Sequence, residues 1–188
     1  MYEEIKNDAF FKLLIKRDKA SFKRLYELFK IPLYKIVNAI TKNDEKTADI
    51  IQDTFIKAIR KISQLKDIKK IDFWIYKIAI NLTLNSIQRD KRIFFTEDRI
   101  DSFVDRETTD QYVKIESSQS QENYFLLMEL IEELPIKFKI IISLKYIENL
   151  KEAEISEILD IPVGTVKSRL NIARTRLKKL LHEYNLKR

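Results

Sequence analysis

One glycine and three prolines in 188 residues leave few places where the backbone can turn tightly. A sheet built from hairpins needs such places again and again, whereas the many Leu, Ile, Lys and Glu residues favour helix by intrinsic preference. An all-α protein is therefore expected, and 45% hydrophobic residues suffice to bury the core of one domain or of two small ones. Without cysteine there is no disulfide framework or thiolate metal site, and the single histidine, His182, cannot make an imidazole cluster. Neither a metal nor a cofactor is expected, and His182 reads as a surface residue near a helix end. The opening "MYEEIKNDAFFKLLIKRDK" begins acidic and its short apolar run is broken by Lys12, unlike a signal peptide. No stretch is long enough to span a bilayer. A cytoplasmic protein with no membrane insertion is the expectation.

Net charge is +7, but its distribution says more: +9 over residues 1–93, −5 over 94–122 and +3 over 123–188. Two basic blocks flank an acidic one, which suggests a polyanionic partner. The middle block, "FFTEDRIDSFVDRETTDQYVKIESSQSQE", loses the helical apolar period and gains Ser, Thr, Gln, Asp and Glu, so it reads as a flexible acidic linker between two small helical domains. Before it, Phe22, Leu25, Tyr26, Phe29, Leu33, Ile36, Val37 and Ile40 keep a three-and-four spacing, and Ala48, Ile51, Phe55, Ile59 and Ile62 repeat it. Pro32 falls inside the first of these helices and should kink or split it. A further helix is expected from about Ile71 to Arg92. After the linker, Leu127, Leu130, Ile131 and Leu134 form a stripe ending at Pro135, and "IKFKIIISLKYIENL" begins another helix.

From Lys151, "KEAEISEILDIPVGTVKSRLNIARTRLKKLL" reads as a short amphipathic helix, a break around Asp160 and Pro162, and a long helix with a basic exposed side. This is helix-turn-helix spacing. Ile155, Ile158, Ile161, Val166 and Leu170 supply a shared core, Ser156 is small enough to let the helices approach, and Asp160 tolerates a left-handed turn. With Val166 inward, Thr165, Lys167, Ser168, Asn171 and Thr175 point outward, a polar set suited to DNA. The one glycine, Gly164, lies in the first turn of the second helix, not at the break. There it either avoids a clash with the preceding helix or lets a phosphate approach the free amides of the helix end.

At this level of detail the chain resembles the extracytoplasmic-function (ECF) group of bacterial RNA polymerase sigma factors. "LPIKFKIIISLKYIENLKEAEISEILDIPVGTVKSRLNIARTRLKKLL" is similar to the family's region four, and "ADIIQDTFIKAIRKI" followed by "FWIYKIAINLTLNSIQRDKR" is similar to its region two. The resemblance implies a region-two domain over 1–93, the linker over 94–122 and a region-four domain over 123–188. It implies core RNA polymerase, promoter DNA and an anti-sigma factor as partners, and no catalytic residue in this chain. Asp49, Gln52 and Asp53 share one face of a helix in an otherwise basic domain, an acidic island that would repel DNA; the resemblance assigns it to the polymerase's clamp helices. The alternative is a solvated face with Asp53 paired to Lys57.

Aromatic residues interleaved with basic ones suit single-stranded DNA, because bases stack on rings while cations follow the backbone. By resemblance, Lys69, Lys70, Tyr76, Asn81, Asn85 and Arg89 would capture and melt the minus-ten element; Asn85 stands where the family commonly has aspartate. Trp74 and Ile78 read better as core. In region four, Lys167, Ser168 and Asn171 would enter the major groove of the minus-thirty-five element beside Thr165, with Arg169, Arg174 and Arg176 nearer the phosphates. Ile172 replaces a residue that is often basic in the family and could meet a thymine methyl or a neighbouring helix. The acidic linker would thread into the polymerase's basic cleft. A polymerase-independent regulator using the same helix-turn-helix leaves the acidic island and the aromatic-basic block without a role. A helical scaffold leaves the +7 of residues 161–188 unexplained, and an enzyme has no visible nucleophile, metal set or phosphate loop.

Overall fold

The computed structural model of the protein describes residues 2–90 and 121–186, and no strand occurs among them. Four helices precede the undescribed segment: α1 (Asp8–Ile15), α2 (Lys19–Thr41), α3 (Asp44–Lys61) and α4 (Ile71–Asp90). Four follow it: α5 (Gln121–Glu132), α6 (Ile136–Ile142), α7 (Glu152–Leu159) and α8 (Val163–Leu186). Of the expected linker, residues 94–120 lie outside the described residues, and its last two already belong to α5.

With so little glycine, side-chain caps delimit the helices. Asn7, Asp18 and Asn43 each accept a hydrogen bond from the backbone amide three residues on, satisfying donors that the first turns of α1, α2 and α3 leave free. Lys42 closes α2 at a φ of 54°, so the chain reverses into α3 through two residues.

Pro32 does not split its helix: α2 runs unbroken from Lys19 to Thr41. The proline removes one amide donor and crowds the preceding turn, at a cost of about 3 kcal/mol. It is outweighed by the fully buried Phe29 and Leu33 on either side of it, together with Ile36 and Val37 one turn further on. Each such side chain contributes about 1.5–3 kcal/mol on leaving water.

In the first unit, α2 packs on α3 and α4, and α3 on α4. In the second, α6 and α7 pack on α8. A one-turn π-helix, Ser143–Ile147, links α6 to the segment before α7. The two units touch: α4 meets α7, and α2 meets α5, α6 and the π-turn. Their apolar interiors form one continuous buried cluster, from Ile5 and Leu14 to Ala173 and Leu177. At the start of α4, Lys6 and the buried Asp72 form an ion pair at 2.6 Å that ties the N-terminal segment to the first unit.

Since the surroundings of Pro32 already hold a helix, Pro32→Ala should stabilise the protein by up to about 3 kcal/mol. Urea unfolding followed by far-ultraviolet circular dichroism reads this as a higher midpoint with unchanged slope.

Candidate protein- and nucleic-acid-binding surfaces

On α3, Asp49, Gln52 and Asp53 are exposed on one face, as their spacing predicts. Among the described residues Asp53 makes no ion pair with Lys57. Beside them lies a feature missed by the sequence reading. Tyr26, Lys30, Ile31 and Tyr34 of α2 and Ala48, Ile51, Gln52, Phe55, Ile56 and Ile59 of α3 line an open groove of about 600 Å³. Ile31 is 57% exposed, and Tyr26, Tyr34 and Ile56 are each about 40% exposed. Gln52 belongs to both the groove and the acidic face. The available signal was that Ile31, Tyr34 and Ile56 fall off the buried stripes of their helices. An apolar groove next to a helix face bearing two carboxylates is chemically matched to an amphipathic helix with basic residues on one side.

The second surface begins with a 3₁₀ turn, Ile68–Lys70, capped by Asp67, whose carboxylate accepts from the Lys69 amide at 2.9 Å. Lys69 and Lys70 are exposed. Gln64, Leu65, Lys66, Asp67, Lys70, Phe73, Trp74 and Lys77 line a cleft of about 400 Å³ whose remaining wall is Glu157 of α7. Trp74 is partly buried against the core and Ile78 is buried, in line with the core reading of both.

Tyr76 is not on this surface. It is 2% exposed, its ring lies edge-on to Phe29 with centroids 6.1 Å apart, and its hydroxyl donates to Glu148 Oε2 at 2.6 Å. In this arrangement no base can stack on it, which corrects the expectation of a minus-ten contact. Burial drives the Tyr76 phenol well above its ordinary range, with the Glu148 carboxylate adding to the shift. Burial also raises the Glu148 carboxyl, against the opposing pull of the Tyr76 hydrogen bond and the Lys35 charge.

Asn81 and Asn85 are exposed on α4, but the two asparagines are not equivalent. Asn85 lines a separate polar cleft of about 230 Å³ with Lys46, Asp49, Asp53 and Ser86, and so belongs with the acidic face of α3. Arg89 lies in the last turn of α4, with its side chain outside the described residues.

The third surface is the α7–α8 pair. Asp160 adopts the left-handed conformation at φ 57° and its amide donates to the Ser156 carbonyl, closing α7. Ser156 does more than give room: its hydroxyl donates to the Ile161 carbonyl at 2.6 Å across the turn. Pro162 lies just before the first residue of α8, and its carbonyl accepts from the Val166 amide at 3.1 Å. Val166, Leu170, Ala173 and Leu177 face inward and are buried. Lys167, Ser168 and Asn171 are exposed, and Thr165 and Arg169 are half-buried.

The clash reading of Gly164 fails. A Cβ there would meet no atom within 4 Å, and its φ is not positive, so neither packing nor backbone conformation demands glycine. Ile172 is half-buried against the core, as the neighbouring-helix alternative requires. Arg174 is half-buried and Arg176 is exposed, and each also meets an aromatic residue of its own domain. Arg174 Nε donates to the Tyr146 hydroxyl at 2.8 Å, and the Arg176 guanidinium sits 5.0 Å from the Phe138 ring centroid. His182 is exposed.

These surfaces lie in segments that match two family models, Sigma-70 region 2 over residues 25–93 and Sigma-70, region 4 over residues 124–177. The ECF RNA polymerase sigma factor SigW of Bacillus subtilis is 31% identical over 173 residues, covering 89% of this chain and 92% of that protein. The ECF RNA polymerase sigma-E factor of Haemophilus influenzae is 30% identical over 182 residues, covering 93% and 94%. The chain belongs to the ECF family of RNA polymerase sigma factors, transcription initiation factors that direct the polymerase to promoters. The fold agrees with solved structures of CnrH in complex with the cytosolic domain of CnrY (TM-score 0.67, 15% identity, 93% of this chain and 96% of that one) and of the Bartonella quintana sigma factor RpoE in complex with the anti-sigma factor NepR (0.62, 22%, 86% and 96%). Among the described residues no helix is long and apolar enough to cross a membrane.

With open space around its missing Cβ, Gly164→Ala should raise helix stability by up to about 1 kcal/mol. A higher thermal midpoint for the free protein checks this, and a lower one would mean a steric demand at this position.

Proposed function

We propose that the protein recruits core polymerase through the α2–α3 groove and its acidic rim, reads the minus-thirty-five element with α8 and captures the minus-ten strand at the start of α4. The observation that carries this reading is the exposed row of Lys167, Ser168 and Asn171 beside the open backbone at Gly164. Lysine and asparagine there can bond to base edges in a major groove, while a phosphate can approach the bare Gly164 backbone without meeting a Cβ. Arg174, bonded to Tyr146, orients α8 on its domain, while Thr165, Arg169 and the exposed Arg176 are its phosphate contacts. On α4, the lysines and the Phe73–Trp74 cleft supply cations and rings for an unpaired strand, and Asn81 offers hydrogen bonds to a base edge. The B. quintana structure pairs a sigma factor with an anti-sigma factor. For this chain we take the α2–α3 groove as the surface where an inhibitor of that class would compete with polymerase.

Run-off transcription with purified core polymerase on a promoter library tests the whole reading: promoter-specific transcripts should require this chain. Within that assay Asp49→Lys combined with Asp53→Lys should abolish transcription and weaken polymerase binding while leaving the circular dichroism spectrum unchanged. Full polymerase affinity in that variant would remove the acidic face from the interface.

Lys167→Ala should relax base preference at one upstream position by about 1–3 kcal/mol, and Gly164→Ala should weaken all upstream sequences alike by crowding the phosphate. Competition binding with single-base variants of a selected site separates these two signatures.

A further inference from the structure

We propose that the helix-turn-helix domain is a built-in mask for the strand-binding surface of the first domain, seated on α4 by the Tyr76–Glu148 bond. This rests on the reading of Lys70, Lys77 and their cleft as the downstream-DNA surface. Among the described residues four polar links join the two domains, and these have the same sense. Lys42, Lys70, Lys77 and the Tyr76 hydroxyl on the first domain face Glu132, Glu157, Asp160 and Glu148 on the second. At Lys70 and Lys77 the second domain thus presents carboxylates to cations that would otherwise face phosphates. Glu157 pairs with Lys70 and itself walls the strand cleft, and Asp160 lies 3.3 Å from Lys77. A nucleic-acid strand entering there must displace both.

The links differ in character. The lysine pairs are well exposed, with side chains 40–85% accessible at Lys70, Lys77, Glu157 and Asp160, so each is weak and yields to a polyanion or to a partner that pulls the domains apart. Tyr76 is buried, so its hydroxyl needs an acceptor, and a mismatch there leaves Glu148 partly desolvated without its donor. The lysine pairs cover the cleft, and the tyrosine fixes the seat. The mask is one-sided, since Lys167, Ser168 and Asn171 stay exposed while it is in place.

The test uses the full chain, which has no native cysteine. Spin labels at Lys23→Cys and Lys178→Cys, both exposed positions, report the distance between domains, and fluorescence anisotropy reports affinity for an oligothymidylate. Tyr76→Phe breaks the seat without changing charge. It should lengthen the label distance and tighten oligothymidylate binding at least about threefold, whereas Glu148→Gln, which keeps an acceptor, should leave both near wild type. Glu157→Gln with Asp160→Asn, which removes both charges at exposed sites and keeps a side chain suited to the left-handed turn, should act in the same direction as Tyr76→Phe. Unchanged distances in both opened variants overturn the mask, as does a longer distance with unchanged affinity. If affinity rises as expected but promoter-directed run-off transcription is absent in every form, the mask stands and the promoter reading falls.

Discussion

The apolar stripe of α2 is the constraint from which the rest of the architecture follows. Phe29, Leu33, Ile36 and Val37 are essentially without solvent contact, and α2 touches α1, α3, α4, α5, α6 and the π-turn. One helix therefore serves as core for its own domain and as the floor on which the second domain rests. This explains why a proline in its middle is tolerated: a break there would expose apolar surface in both units at once, at a cost well above the roughly 3 kcal/mol of one interior proline.

Around that shared interior, charge is sorted by surface. Asp49 and Asp53 of α3 line one cleft and Lys70 and Lys77 of α4 another, while Glu157 and Asp160 pair with those two lysines. A net charge of +7 conveys none of this. What distinguishes the surfaces is that the α2–α3 groove, the cleft at the start of α4 and the exposed face of α8 each carry a distinct local polarity.

Much of the fold was legible in the sequence because it is local. Apolar spacing gives the helices, and the pattern around Asp160 gives the helix-turn-helix, including its left-handed residue. The misreadings involve partners distant along the chain. Tyr76 reads as one more aromatic in a basic block until Glu148, 72 residues later, is found to accept its hydroxyl. The contacts of Arg174 with Tyr146 and of Arg176 with Phe138 likewise join residues far apart in the chain and were not legible in it. The groove between α2 and α3 needs two helices to exist at all. Gly164 is the opposite case, where sequence left two explanations open and the empty space around its missing Cβ removed one.

The hydroxyl of Ser156 reaches further than its size suggests. By bonding to the Ile161 carbonyl it closes the α7–α8 corner from the side-chain side, in a turn that has no glycine to loosen it. The two helices then form a stiff elbow, and whatever grips the upper arm also aims the forearm. Grasped at α7 by α4, the forearm α8 has a single bearing relative to the first domain; once released, it swings as one piece and can settle at another. The direction in which α8 presents its exposed face is thus set by where α7 is held, and the corner itself adds no slack.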